Sequence, residues 1–149
     1  MNDSTTKRTI LTRQLVPEDQ RLDVTAELFG IHFPLAIEPV IYGITERMAQ
    51  DNYHGGYWHY YQLACTDWQF SGFYMAPDGD HTYQVSCDNY WQGELSADAL
   101  GIVSTLYAYS HLSFSRDEQF GRLCARHYHL LREYIYEHPE LPAILGAID

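Results

Sequence analysis

Lysine is almost missing from this sequence, and basic charge of any kind is scarce. Lys7 is the only lysine in 149 residues, and the nine cations face 20 acids for a net charge of −11. From residue 48 to residue 95 there is no Lys or Arg at all, while Asp51, Asp67, Asp78, Asp80, Asp88 and Glu94 fall in the same stretch. Residues 1–13 hold three cations and one acid, so residues 14–149 hold 6 cations and 19 acids, a balance of −13. A body of that sign repels phosphate, which excludes a protein that coats nucleic acid and fits attraction to a basic partner. Cysteine is also sparse. Cys65, Cys87 and Cys124 are far apart with no C-x-x-C, which excludes a disulfide framework and reads as reduced thiols in a cytoplasmic protein.

Other absences narrow the field further. No run approaches the roughly 20 apolar residues of a membrane span, so no membrane association is expected. The longest weakly polar run, ALGIVSTLYAYSHLSF, is broken by Ser and His and reads as a core helix. MNDSTTKRTILTRQ has no apolar core, so no secretory signal is read there. G-x-S-x-G, the Walker motif, glycine-rich phosphate loops and H-E-x-x-H are all absent. Accordingly no catalytic residue, cofactor or metal ligand is assigned.

What the chain has is hydrophobic and aromatic mass: 46% hydrophobic residues, with 13 Tyr and 3 Trp. That supports one globular domain over residues 13–149 after a polar, flexible tail at 1–12. PEDQRLDVTAELFG reads as a helix, with acids in its first turn, Gly30 as its stop and Leu22, Leu28 and Phe29 inward. In HFPLAIEPVIYGITERMAQDN, Ile37, Val40, Ile41, Ile44 and Met48 recur at helical spacing, and Pro39 falls in the first turn, where its missing N–H costs nothing. YWHYYQLA, QFSGFYMA and HTYQVSCDN, with the turn PDGD (77–80) between the last two, predict a three-stranded antiparallel meander. Two long helices follow. Ser96 caps the first, and the box Ser115-Arg116-Asp117-Glu118 opens the second, whose inner face runs from Phe120 through Leu123, Cys124, His127, Leu130 and Leu131 to Tyr134. The class is α+β: a small antiparallel sheet with N-terminal helices and two long C-terminal helices packed around it.

Chemistry is hard to build from these residues. His127 and His129 point roughly 200° apart on a helix and cannot grip one metal. Cys124 and His127 stand at i, i+3, but on a face of Leu and Phe, where a thiol acts as a small hydrophobe and a histidine as a hydrogen-bonded core residue. The stretch NYHGGYWHYYQL (52–63) crowds five aromatic rings and two histidines around Gly55-Gly56. As a base-stacking platform it would need a basic groove, and none is near. Alternation instead places Trp58, Tyr60 and Gln62 on one face of a strand and Tyr57, His59 and Tyr61 on the other.

The blocks GGYWHYY, GFYMAPDGD, SADALGIVSTLYAYSHLSFS, CARHYHLLREYIYEHPE and ILGAID resemble, in that order, the ArdB/KlcA antirestriction proteins. The resemblance runs from about Val16 to Asp149. It implies a compact α+β protein of plasmids, genomic islands and other mobile elements that protects incoming DNA by antagonising host type I restriction-modification enzymes without being an enzyme. It supplies no site residues. Tyr57, His59, Tyr61, Asp78, Asp80 and Asp149 are our own candidates for contact with a host restriction enzyme or an associated host factor. Two alternatives stand beside this one: an acidic mimic of DNA that occupies the restriction enzyme's DNA site, and a small histidine-dependent hydrolase.

Overall fold

The computed structural model describes residues 11–64 and 71–149. The first ten residues of the expected tail, Cys65, Asp67 and the start of the strand expected at 69–76 lie outside the described residues. The architecture is α+β, with two small antiparallel sheets and five α-helices among the described residues. Strands β1 (Thr12–Leu15), β2 (Trp58–Ala64) and β3 (Gly72–Pro77) form one sheet in the order β1-β2-β3. Strands β4 (Thr82–Ser86) and β5 (Gln92–Ser96) form a separate hairpin.

The sheet is therefore not the meander expected from the sequence. The β2–β3 hairpin is there, with Tyr61 opposite Tyr74. The next strand, however, leaves at the 77–80 turn, where Gly79 takes φ +117°, and pairs with β5. Its expected place beside β3 is filled by a helix. On the far side β2 pairs instead with β1, which begins at Thr12, the last residue assigned to the tail. Four residues without a β-branched run gave little strand signal.

After β1 a 3-10 turn (Glu18–Gln20) leads into α1 (Arg21–Phe29), a π-helical segment (Phe33–Ile37) and α2 (Glu38–Met48). Pro39 sits in the first turn of α2, and Gly30 ends α1 at φ +59°. Phe29, Ile37, Ile41, Ile44 and Met48 are buried as their spacing predicts. Leu22 is not: it is 85% exposed, and Thr25 takes the inward position, its hydroxyl bonded back to Arg21 O at 2.9 Å. Phe29 and Phe33 meet Phe73 edge-on at 5.6 and 5.5 Å, closing one face of the sheet. Each such pair is worth about 1 kcal/mol beyond its area.

Helix α3 (Ala97–Leu112) is capped as expected, the Ser96 hydroxyl accepting from Ala99 N–H at 3.1 Å. It is buried nearly all round, not along one stripe. The reason is its position along the free edge of β3. The Phe73 and Met75 main-chain groups point away from β2 and towards α3. There the Tyr109 hydroxyl donates to Phe73 O at 2.7 Å, and Thr105 Oγ1 lies 3.4 Å from Met75 O and 3.5 Å from its N. The helix comes this close only because residue 101 is glycine: a Cβ there would fall 2.3 Å from Ala76 Cα and 2.4 Å from Met75 O. An edge strand with unpaired groups is thus sealed by a helix.

Helix α4 (Glu118–Tyr134) is capped by Asp117, which accepts from Phe120 N–H at 3.1 Å, while Ser115 accepts from Asp117 N–H; the cap lies two residues past the expected one, and with Phe120 at its third position no reciprocal box forms. Phe120, Cys124, His127, Leu130 and Leu131 are buried. Leu130 lies against Gly72, where an added Cβ would be 3.2 Å away, so Gly72 marks a close approach. After a 3-10 turn, α5 (Leu141–Ile148) ends with its carbonyls held: Asn89 Nδ2 donates to Gly146 O and Ala147 O at 3.0 and 3.1 Å, and the Tyr107 hydroxyl to Ala147 O at 2.5 Å.

Candidate partner-binding face

The outer face of the three-stranded sheet is only half covered. Helix α4 lies over Leu63, Gly72 and Tyr74, with Tyr134 tilted on Tyr74 at 5.8 Å. On the other half, among the described residues, Tyr57 is exposed and His59 and Tyr61 are half-buried, while Trp58 and Tyr60 are buried on the opposite face. The alternation read from the sequence is therefore the alternation of the strand. Tyr57 meets His59 edge-on at 5.2 Å, and His59 meets Tyr61 at 6.3 Å, so the three rings form a continuous row.

Charged groups fix that row at both ends. His59 Nε2 lies 2.7 Å from Asp78 Oδ1, which joins the strand to the 77–80 turn. The Tyr57 hydroxyl donates to the Glu18 carboxylate and accepts from Arg21 Nη2 at 2.9 Å. Arg21 also donates to Trp58 O at 2.6 Å, with its guanidinium 4.9 Å from the Tyr57 ring and 4.2 Å from that of Tyr60. At the Tyr61 end, Arg13 of β1 lies over the ring at 4.4 Å. It donates to both the Tyr74 hydroxyl and Asp98 Oδ1 at 2.6 Å.

Asp98, in the first turn of α3, is the hub beneath this face. It accepts from Arg13, from the Tyr74 hydroxyl at 2.8 Å and from His138 Nε2 at 2.8 Å. His138 Nδ1 already accepts from Glu140 N–H at 3.0 Å, so the proton on Nε2 points at Asp98. Burial would raise the Asp98 carboxyl, but the bonds from His138 and Tyr74 and the Arg13 charge hold it below the ordinary carboxylate value. Burial, with Asp98 adding to it, pushes the Tyr74 phenol far up, so it stays a neutral donor.

Of the six candidate residues, Tyr57, His59, Tyr61 and Asp78 come together, and Asp80 stands two residues further along the same turn. Asp149 belongs elsewhere: its carboxylate meets Arg132 of α4 at 3.3 Å. Sequence reasoning missed Glu18, Arg21, Arg13 and Asp98. They reach the tyrosines of the sheet from 24 to 61 residues away in the chain, and no local pattern marks such partners.

The Cys124–His127 pair forms no nucleophile. Burial pushes the Cys124 thiol up to about 12. His127 lies between Phe29 and Tyr109, with ring centres 4.6 and 5.4 Å away, and burial, helped by the Arg126 charge, pushes it down to about 4. A protonated thiol beside a neutral imidazole in such a setting is core. His127 differs from the expected core histidine in one respect: among the described residues, its buried Nδ1 has no hydrogen-bond partner. Among the described residues, too, no three His, Cys, Asp or Glu side chains converge to hold a metal, and no single helix is long and apolar enough to cross a membrane.

The structure thus defines an α+β class of protein with an aromatic, carboxylate-rimmed sheet face over a closed core. Comparison with known proteins gives that class a family. The antirestriction protein family model matches residues 51–149. Antirestriction protein KlcA of Escherichia coli is 40% identical over 142 residues, covering 93% of this chain and 95% of the relative. The uncharacterized protein YafX of Escherichia coli K12 is 37% identical, over 93% and 88% of the two chains. A solved structure overlays with a TM-score of 0.83 at 40% identity and covers both chains completely. It comes from work on the KlcA and ArdB proteins, which show a novel fold and antirestriction activity against type I DNA restriction systems in vivo but not in vitro. This chain belongs to the antirestriction protein family.

Proposed function

We propose that this protein blocks type I restriction in the cytoplasm of a host cell by binding a host protein, without catalysing a reaction. The contact is made by the Tyr57–His59–Tyr61 row and the carboxylates of Asp78 and Asp80. The partner is a subunit of the restriction enzyme or a factor acting with it on DNA. The observation that carries this reading is the half-open sheet face: aromatic rings held in place by acids, with both nearby arginines already paired. Such a face suits a basic protein surface. The structural relative's activity in vivo but not in vitro favours a partner that a purified assay lacks. It weighs against the DNA-mimic alternative, which requires inhibition of the purified enzyme.

Plating of unmodified phage tests the reading. Efficiency should rise on a host with a type I system when this protein is present, and stay unchanged on a matched type II host. Equal plating with and without the protein on the type I host would refute it. Asp78→Lys with Asp80→Lys should abolish protection while costing at most about 1 kcal/mol of stability, since both residues lie on an exposed turn and only the surface pair with His59 is lost. Retained protection would remove this face from the mechanism.

A further inference from the structure

The two edges of the three-stranded sheet are treated very differently. The edge of β3 is closed by α3 through Gly101, Thr105 and Tyr109. The edge of β1 is open: among the described residues no strand pairs with its outer side, and all four of its residues are exposed. The register fixes which groups face outward. Val16 N–H donates to Tyr60 O at 2.8 Å, so Thr12, Gln14 and Val16 turn their main-chain groups to β2. By alternation the N–H and C=O groups of Arg13 and Leu15 point away from the sheet, and no described residue hydrogen-bonds them.

The side chains of these same two residues lie on the outer sheet face. Leu15 stands opposite Tyr61 and is 56% exposed, and Arg13 covers the Tyr61 ring. The open edge and the aromatic row are thus one continuous surface. Its cations are committed, Arg13 to Asp98 and Arg21 to Tyr57 and Trp58 O, while Asp78 and Asp80 are exposed on the adjoining turn.

We propose that the outer edge of β1 accepts an extended, basic segment of the partner protein as a fourth strand. The inference rests on the partner-binding reading above and names how the partner engages. The segment's main chain exchanges hydrogen bonds with Arg13 and Leu15. An apolar side chain packs beside Leu15 and Tyr61, and its basic side chains answer the surrounding carboxylates. Strand addition takes its affinity from main-chain bonds and its selectivity from alternate side chains. The net charge of −11, with Arg13 of the edge already paired to Asp98, makes a basic segment the favoured occupant.

The test uses the full chain, labelled with nitrogen-15 and titrated to millimolar with a capped hexapeptide of alternating Lys and Val. The Arg13 and Leu15 amides should shift and exchange about tenfold more slowly, while Gln14, already bonded to β2, changes least. Leu15→Ala should keep the response, because the N–H remains. Leu15→Pro should lose it with its melting temperature intact, because the missing N–H is one that β2 does not use. A Glu-Val peptide should give no response. Silent Arg13 and Leu15 amides, or an equal response in Leu15→Pro, would overturn strand addition; an equal response to the acidic peptide would overturn the basic partner. A failed peptide with intact phage protection sinks this inference alone. A bound peptide with no protection sinks the restriction reading and leaves the edge as a strand acceptor.

Discussion

His127 gives the protein a dependence on acidity that can be isolated. Its ordinary value is 6.5, and burial lowers it to about 4 in the folded chain. Between these values the unfolded chain binds a proton that the folded chain refuses. Folding stability therefore rises with pH from about 4 to 6.5, and this contribution is complete above 6.5. The gap of about 2.5 units, at about 1.4 kcal/mol per unit, makes the full loss at pH 4 about 3 kcal/mol. Most of that should be felt, because His127 is only 3% exposed and solvent screening is weak. Urea unfolding followed by tryptophan fluorescence, at intervals from pH 7.5 to 4, measures it. The comparison variant is His127→Leu, which keeps an apolar body between Phe29 and Tyr109 and removes the unpartnered Nδ1. Wild type should lose about 3 kcal/mol relative to the variant as the pH falls across the window. Parallel pH profiles for the two proteins would show that His127 is not held neutral, and the account of its environment would be wrong.

Gly101→Ala places a methyl 2.3 Å from Ala76 Cα, and should cost about 3 kcal/mol or more, read by chemical denaturation; a loss below about 1 kcal/mol would mean that α3 does not seal β3 so closely. Tyr90 holds φ +72° with its side chain 94% exposed, so Tyr90→Gly should raise stability by up to about 1 kcal/mol in thermal unfolding. Asp98→Asn leaves Arg13 without its charge partner and should cost about 2 kcal/mol. It should also remove part of the acid lability below about pH 4, where wild-type Asp98, with its lowered carboxyl, takes up its proton.

The parts of this fold that were legible in the sequence are those fixed by neighbours in the chain. Helical spacing found α2 and α4, Ser96 announced the cap of α3, and alternation in residues 57–62 sorted the rings of β2 to their faces. What was not legible depends on distant partners. Four exposed residues become β1 only because β2 offers them an edge, and β4 leaves the sheet because α3 already occupies its side of β3. Leu22 obeys the helical period yet is exposed, and Thr25 is the buried residue of that turn. The candidate face shows the same division. Tyr57, His59, Tyr61 and Asp78 lie on one hairpin and could be read together. Arg13, Glu18, Arg21 and Asp98, which hold the rings in place, come from other elements and could not.

The pairing of β1 with β2 also sets an order on the chain's life during synthesis. Residues 12–48 are made before the elements they pack on: Phe29 and Phe33 meet Phe73 of the hairpin that ends at Pro77, and α2 lies against the helix that begins at Ala97. Until roughly two-thirds of the chain has left the ribosome, these side chains have little to bury against. The emerging N-terminal third is therefore a natural client for a chaperone. A ribosome stalled before residue 97 should hold a protease-sensitive chain, and one stalled past residue 112, with α3 free of the exit tunnel, a resistant one.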